Sequence, residues 1–167
     1  MEGKTLPTNP NPGGFYSALV CTEGHEINPF VEARPDERPA FCRDCGSPVI
    51  SACPQCGGKI QGWPRGAMTW NYTPPIHCDR CGQPLPWTVG RLDAARTVAS
   101  MLSELKPAER QALNASFDDL VRDTTRTQAA VLRVKLLLGK LSVEGGRALR
   151  GVLTTVATES VKKQLVL

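Results

Sequence analysis

Cys21 with His25, Cys42 with Cys45, Cys53 with Cys56, and Cys78 with Cys81 form four close pairs of soft donors, and they use all seven cysteines of the chain. Thiolate and imidazole are favoured zinc ligands, and eight donors are what two tetrahedral shells require. A shell closed by four side chains leaves no position for a reacting water, so the pattern points to structural rather than catalytic metal. Three of the pairs repeat the same unit, Cys42-Arg43-Asp44-Cys45-Gly46, Cys53-Pro54-Gln55-Cys56-Gly57 and Cys78-Asp79-Arg80-Cys81-Gly82. The glycine relieves crowding where such a knuckle reverses direction. In Cys21-Thr22-Glu23-Gly24-His25 the longer imidazole takes the place of the second thiolate. Two structural Zn²⁺ ions are the expectation.

Other chemistries of paired cysteines fit less well. Disulfides need an oxidising compartment, whereas the cysteine count is odd and no signal-peptide pattern is evident. An iron–sulfur cluster suits thiolates alone better than a set containing imidazole. A redox Cys-x-x-Cys belongs in a βαβ context, which these Pro- and Gly-rich surroundings do not offer. Two pairings of the ligands remain open. Sequential pairing places residues 26–41 and 57–77 between knuckles as hairpins of two zinc ribbons, with 46–52 as a linker. The rival is an interleaved cross-brace of RING type, in which the second and third pairs usually lie closer together than they do here. His77, next to Cys78, reads as a surface or supporting residue because the ligand count is complete without it. Glu23 resembles the acid beside a hydrolytic zinc, but a filled shell would give it nothing to activate.

The elements that position these ligands follow from composition. Thirteen of fourteen prolines precede Trp87, and everything after residue 90 lacks cysteine and follows a helical period. The expected organisation is a flexible N-terminal segment over 1–17, a double zinc-ribbon module over 18–88, and a helical bundle or extension over 89–167. The fold class is therefore a small metal-stabilised β module followed by an all-α region of about four helices. Leu92, Ala95, Ala99 and Leu102 form one apolar stripe, and Leu113, Phe117, Leu120 and Val121 a second behind Pro107. A third helix, capped by Asp123 or Thr124, carries Ala130, Val131, Val134, Leu137, Leu138 and Leu141, and ends near Gly139 and Ser142. A fourth opens at Gly145-Gly146 and carries Leu149, Val152, Leu153, Val156 and Ser160. The ribbon half is too poor in aliphatic residues to fold without a staple, so metal binding and folding should be coupled there.

Charge divides along the same line. Residues 1–90 hold seven basic and eight acidic side chains, whereas 91–167 hold thirteen and eight. Seven thiolates and two divalent ions lower the formal net charge of +4 to about +1 and make the ribbons acidic. Phosphate contacts are thus disfavoured in the ribbons. Arg122, Arg126, Arg133, Lys135 and Lys140, with Arg147, Arg150, Lys162 and Lys163, form either a solvated helix face or a surface for phosphate or an acidic partner. Trp63, Trp70, Tyr72 and Trp87 read first as ribbon core, and otherwise as a protein-binding or base-stacking surface. No Walker loop, dinucleotide fingerprint or nucleophile elbow occurs, and no cysteine is left over as a nucleophile.

The ligand-bearing segments, including Gly57-Gly58-Lys59-Ile60-Gln61-Gly62 after the third pair and Gly82-Gln83-Pro84-Leu85-Pro86-Trp87-Thr88 after the fourth, resemble a family of small bacterial zinc-ribbon proteins of unknown function. Asp119 to Thr124 and Arg133 to Leu138 fit the same family, so the resemblance spans most of residues 20–163. It implies a bacterial, cytoplasmic protein that uses the eight ligands named above, and it brings no activity. The expected function is a non-enzymatic zinc-ribbon adaptor that binds another protein, without membrane insertion and with scope for self-association. The alternatives are a nucleic-acid-binding regulator using the basic helical face and a RING-like accessory factor in protein conjugation.

Overall fold

The computed structural model describes residues 14–68 and 71–165. The chain divides between Thr88 and Val89 into two compact units. Among the described residues the first contains five short strands: β1 (Phe15–Ser17), β2 (Leu19–Cys21), β3 (Glu26–Asn28), β4 (Val49–Ile50) and β5 (Gln61–Pro64). β1 pairs with β5, and β2 lies between β3 and β4 in a three-stranded sheet; every pairing is antiparallel.

Residues 15–21 are the stave that joins these sheets. Ala18, wholly buried between β1 and β2, donates its N–H to the Ile60 carbonyl at 2.8 Å, so the stave changes partner at that residue. Its first half is further pinned by Glu32, whose carboxylate accepts both the N–H and the hydroxyl of Ser17 at 2.8 Å. Residues 1–17 read from sequence as a flexible segment. Residues 1–13 lie outside the described residues, but Phe15–Ser17 form a strand because their partners come from residues 32 and 61–64.

A second difference concerns residues 46–52, read from sequence as a linker. This stretch contains β4, in which Val49 and Ile50 face Cys21 and Val20. Two strands and a turn do not fit there, but one strand borrowed by a distant sheet does.

Asn28, buried at the end of β3, organises the loop that follows. Its Nδ2 donates to the carbonyls of Arg34 and Glu37, and its Oδ1 accepts the Phe30 N–H. Phe30 then packs edge-on to Tyr16 and tilted against Trp63, with Arg65 over the Tyr16 ring. Trp87 is 1% exposed and donates to the Pro75 carbonyl, while the Tyr72 hydroxyl donates to the Gln61 carbonyl. Trp63, Tyr72 and Trp87 thus serve packing; Trp70 lies outside the described residues.

The helices are α1 (Pro86–Met101), α2 (Pro107–Leu120), α3 (Thr127–Leu138), α4 (Val143–Val156) and α5 (Glu159–Leu165). The four sequence stripes supply the second unit's core: Leu92, Ala95, Ala99, Leu113, Phe117, Leu120, Val134, Leu149 and Leu153 are all buried. Five helices replace the expected four because the last one breaks. Ala157 is extended (φ −66°, ψ 150°), the Thr158 N–H donates to the Leu120 carbonyl, and the Thr158 hydroxyl accepts the Val161 N–H. α5 then buries Val161 and Leu165, leaving Ser160 exposed.

Two helix starts also shift. Ser142 caps α4 by accepting the Gly145 N–H, so Gly145 and Gly146 lie inside the helix. α3 begins at Thr127, whose hydroxyl donates to the Arg122 carbonyl, with Thr124 accepting the Arg126 N–H just before it. Among the described residues no helix is long and apolar enough to cross a membrane.

Gly62 tests the stave. A Cβ there would lie 2.4 Å from the Pro29 carbonyl oxygen and 2.9 Å from that of Tyr16, both backbone atoms that cannot swing away. Gly62→Ala should destabilise the first unit by about 1–3 kcal/mol, measured by denaturant titration of the metal-loaded protein. Phe117→Ala, emptying a fully buried site in the second unit, should cost about 3–5 kcal/mol, read from the helical circular dichroism transition.

Candidate metal centres

Each Cys-x-x-Cys pair sits in the same backbone device. An antiparallel bridge closes its base: Phe41 to Pro48, Ala52 to Lys59 and His77 to Pro84. The first cysteine N–H donates to the carbonyl five residues on, and its carbonyl accepts the N–H of the knuckle glycine, all at 2.7–2.9 Å. Gly46, Gly57 and Gly82 occupy φ values of 71°, 69° and 70°, a left-handed conformation costly to any side chain. The Cys21–His25 pair is built differently, from the turn between β2 and β3. There the Gly24 N–H donates to the Cys21 carbonyl and the His25 N–H to the Cys21 sulfur at 3.2 Å.

The structure gathers the eight residues into two sets, Cys21, His25, Cys42 and Cys45, and Cys53, Cys56, Cys78 and Cys81. Pairing is therefore sequential, not cross-braced. Within each set the donor atoms all lie within 4.8 Å of one another. In the first, the Cys21 sulfur lies 3.8 Å from that of Cys45, and His25 Nδ1 lies 3.5 Å from Cys21 and 3.6 Å from Cys42. In the second, Cys53 and Cys81 are 3.9 Å apart and Cys56 and Cys78 3.6 Å. Tetrahedral bonds of about 2.3 Å to sulfur and 2.05 Å to nitrogen give S–S edges of about 3.8 Å and S–N edges of about 3.6 Å. Both sets match the shell of one metal ion each. No cysteine forms a disulfide.

Protein groups prepare the sulfurs unevenly. The Ser47 hydroxyl and N–H hold Cys45 down to about 6, and the Cys81 N–H holds Cys78 down to about 7. Cys81 receives the Gln83 N–H, yet burial and the neighbouring Cys56, Cys78 and Cys53 sulfurs push it up to about 12. Four clustered sulfurs cannot all carry charge without a cation among them, which a bound metal would supply.

Residues 14–165 match the family described as "Uncharacterized protein conserved in bacteria (DUF2321)". The chain belongs to this family. No curated protein and no solved structure matches it.

In this DUF2321 chain the other candidate residues stay outside the donor sets. Glu23 is exposed, and His77 contributes the backbone bridge beneath the fourth knuckle. Sequence reading did not single out Ser47 or Gly58. Gly58 donates its N–H to the Cys56 sulfur at 3.4 Å and leaves room for the Arg80 side chain. Their common signal is position, two residues beyond the second cysteine of a knuckle. The recess beside Cys53 and Cys78 holds about 10 Å³, barely one water.

Exhaustive chelation should abolish amide protection at Cys42, Gly46, Cys53, Gly57, Cys78 and Gly82, while α2 to α4 keep theirs. Hydrogen exchange read by mass spectrometry checks this. Equal loss in both units would show that the helices depend on the metal too.

Proposed function

We propose that this DUF2321 protein is a non-enzymatic adaptor of a bacterial cytosolic assembly, in which two structural zinc ions fix the first unit and the helical unit binds another protein. Zinc fits best because one donor set mixes three thiolates with an imidazole and both shells are closed. Reduced cysteines throughout suit a reducing compartment.

The observation that carries the adaptor reading is the outer ridge of α3. Leu132 and Leu136, one turn apart, are 59% and 64% exposed, opposite the buried stripe of Ala130, Val134 and Leu137. Lys135 flanks the ridge on one side and Arg133 on the other, and neither has a carboxylate partner among the described residues. An acidic amphipathic helix complements this surface, offering an apolar seam between carboxylates. A second copy of the ridge would oppose like charges.

The nucleic-acid alternative has weaker support because several of its cations are engaged. Arg126 pairs with Asp119, Lys140 with Glu109 and Lys162 with Glu159. The RING-like alternative needed the cross-brace and is not carried forward.

Elemental analysis should find two zinc ions per chain, and predominant iron would overturn the metal assignment. A synthetic acidic helix with leucines at i, i+4 and i+7 is a probe for the ridge. Leu132→Glu should weaken its binding by about 2 kcal/mol in fluorescence anisotropy. Unchanged affinity would remove the ridge as a docking site. Salt-sensitive binding of an oligonucleotide, lost on changing Arg147 and Arg150, would favour the regulator instead.

A further inference from the structure

The two centres differ in where the fold puts them. Cys53 and Cys78 belong to the hydrophobic cluster of Ala18, Val20, Ile60, Leu85 and Trp87, and Cys56 and Cys81 pack against it. The helix start closes one side: Thr88 donates its hydroxyl to the Ile76 carbonyl and Leu85 its N–H to the same oxygen. In the other set Cys21 and Cys42 are buried as well, but His25 and Cys45 are exposed where Cys56 and Cys81 are half-buried.

We propose that the Cys21–His25–Cys42–Cys45 centre is an exchangeable metal site, whereas the Cys53–Cys56–Cys78–Cys81 centre holds its ion for the life of the fold. The inference rests on the reading that both sets bind zinc. Three features act together. An acceptor of the metal reaches the exposed His25 and Cys45 edge directly, whereas the second centre offers it only the half-buried Cys56 and Cys81, packed against an apolar cluster. One imidazole replaces a thiolate, lowering the softness and charge of the donor set. The surrounding chain also survives the loss. Val20 and Ile50 remain held in or against the core, so β2 and β4 persist, and the Thr22 N–H still binds the Pro48 carbonyl. Only the knuckle between Phe41 and Pro48 is released. When a chelator takes the ion, solvent protons replace it on the three sulfurs, and rebinding expels them. Metal occupancy thereby sets the order of a knuckle whose Phe41 is 63% exposed.

The test starts from the whole chain loaded with two zinc ions and challenged with 4-(2-pyridylazo)resorcinol under native conditions. One equivalent should transfer in a fast phase and the second only on adding denaturant. The amides of Cys42 and Gly46 should lose exchange protection in the fast phase, while those of Cys53, Gly57, Cys78 and Gly82 keep it. His25→Cys, which offers a softer, charged thiolate in place of the imidazole, should slow the fast phase at least about tenfold. Release of both equivalents in one phase, or loss of protection first around Cys53 and Cys78, overturns the inference. A chain that retains no zinc after loading refutes the structural-metal reading itself, which separates the two failures.

Discussion

Four sulfurs gathered within 4.8 Å of one another, in and against an apolar cluster, impose the constraint from which the first unit follows. Anions at that spacing in a poorly solvated site repel strongly, and only a cation at their centre turns the repulsion into cohesion. Once it does, two knuckles are fixed, and with them the bridges Ala52–Lys59 and His77–Pro84. Ile60 and Leu85 are brought beside the sulfurs, and Trp87 closes the cluster from the first turn of α1. A bound metal and the small core would form one object, because neither set of contacts is large enough to order the segment alone.

The stave at residues 15–21 extends that order to the first centre. Its N-terminal half pairs with β5, which follows the third knuckle, and its C-terminal half pairs with β3 and β4 and supplies Cys21. Two ribbons that the ligand spacing suggests are separate are thus parts of one body sharing a strand. The close passage of Gly62 beneath the Pro29 and Tyr16 carbonyls records how tightly the two halves are laid together. The first centre stays at the margin of this body, bound through backbone pairing more than through apolar cover.

The helical unit obeys a different rule. Its core is an ordinary product of amphipathic periodicity, with Phe117, Leu113, Val134 and Leu153 fully buried. Its surface departs from that rule on α3, where leucines occupy the solvent ridge between Lys135 and Arg133. The proposed docking of another protein rests on this ridge.

The ligand set was legible in the sequence because metal coordination leaves a local signature: donors three or four residues apart, each followed by the backbone freedom to turn. The helical stripes were legible for a similar reason, since burial on a helix repeats every three or four positions. Elements that depend on distant partners were not. Nothing within Phe15–Ser17 announces a strand, because Gln61, Pro64 and Glu32 make it one. The break at Ala157 depends on the Leu120 carbonyl receiving the Thr158 N–H. Sequence by itself determined which eight side chains gather and which helix faces turn inward. Tertiary structure alone decided that the pairs join sequentially, that β4 occupies the supposed linker, and that one centre packs on the apolar cluster while the other exposes His25 and Cys45. Coordination and amphipathicity are written in neighbouring residues, whereas strand pairing and burial exist only once remote segments meet.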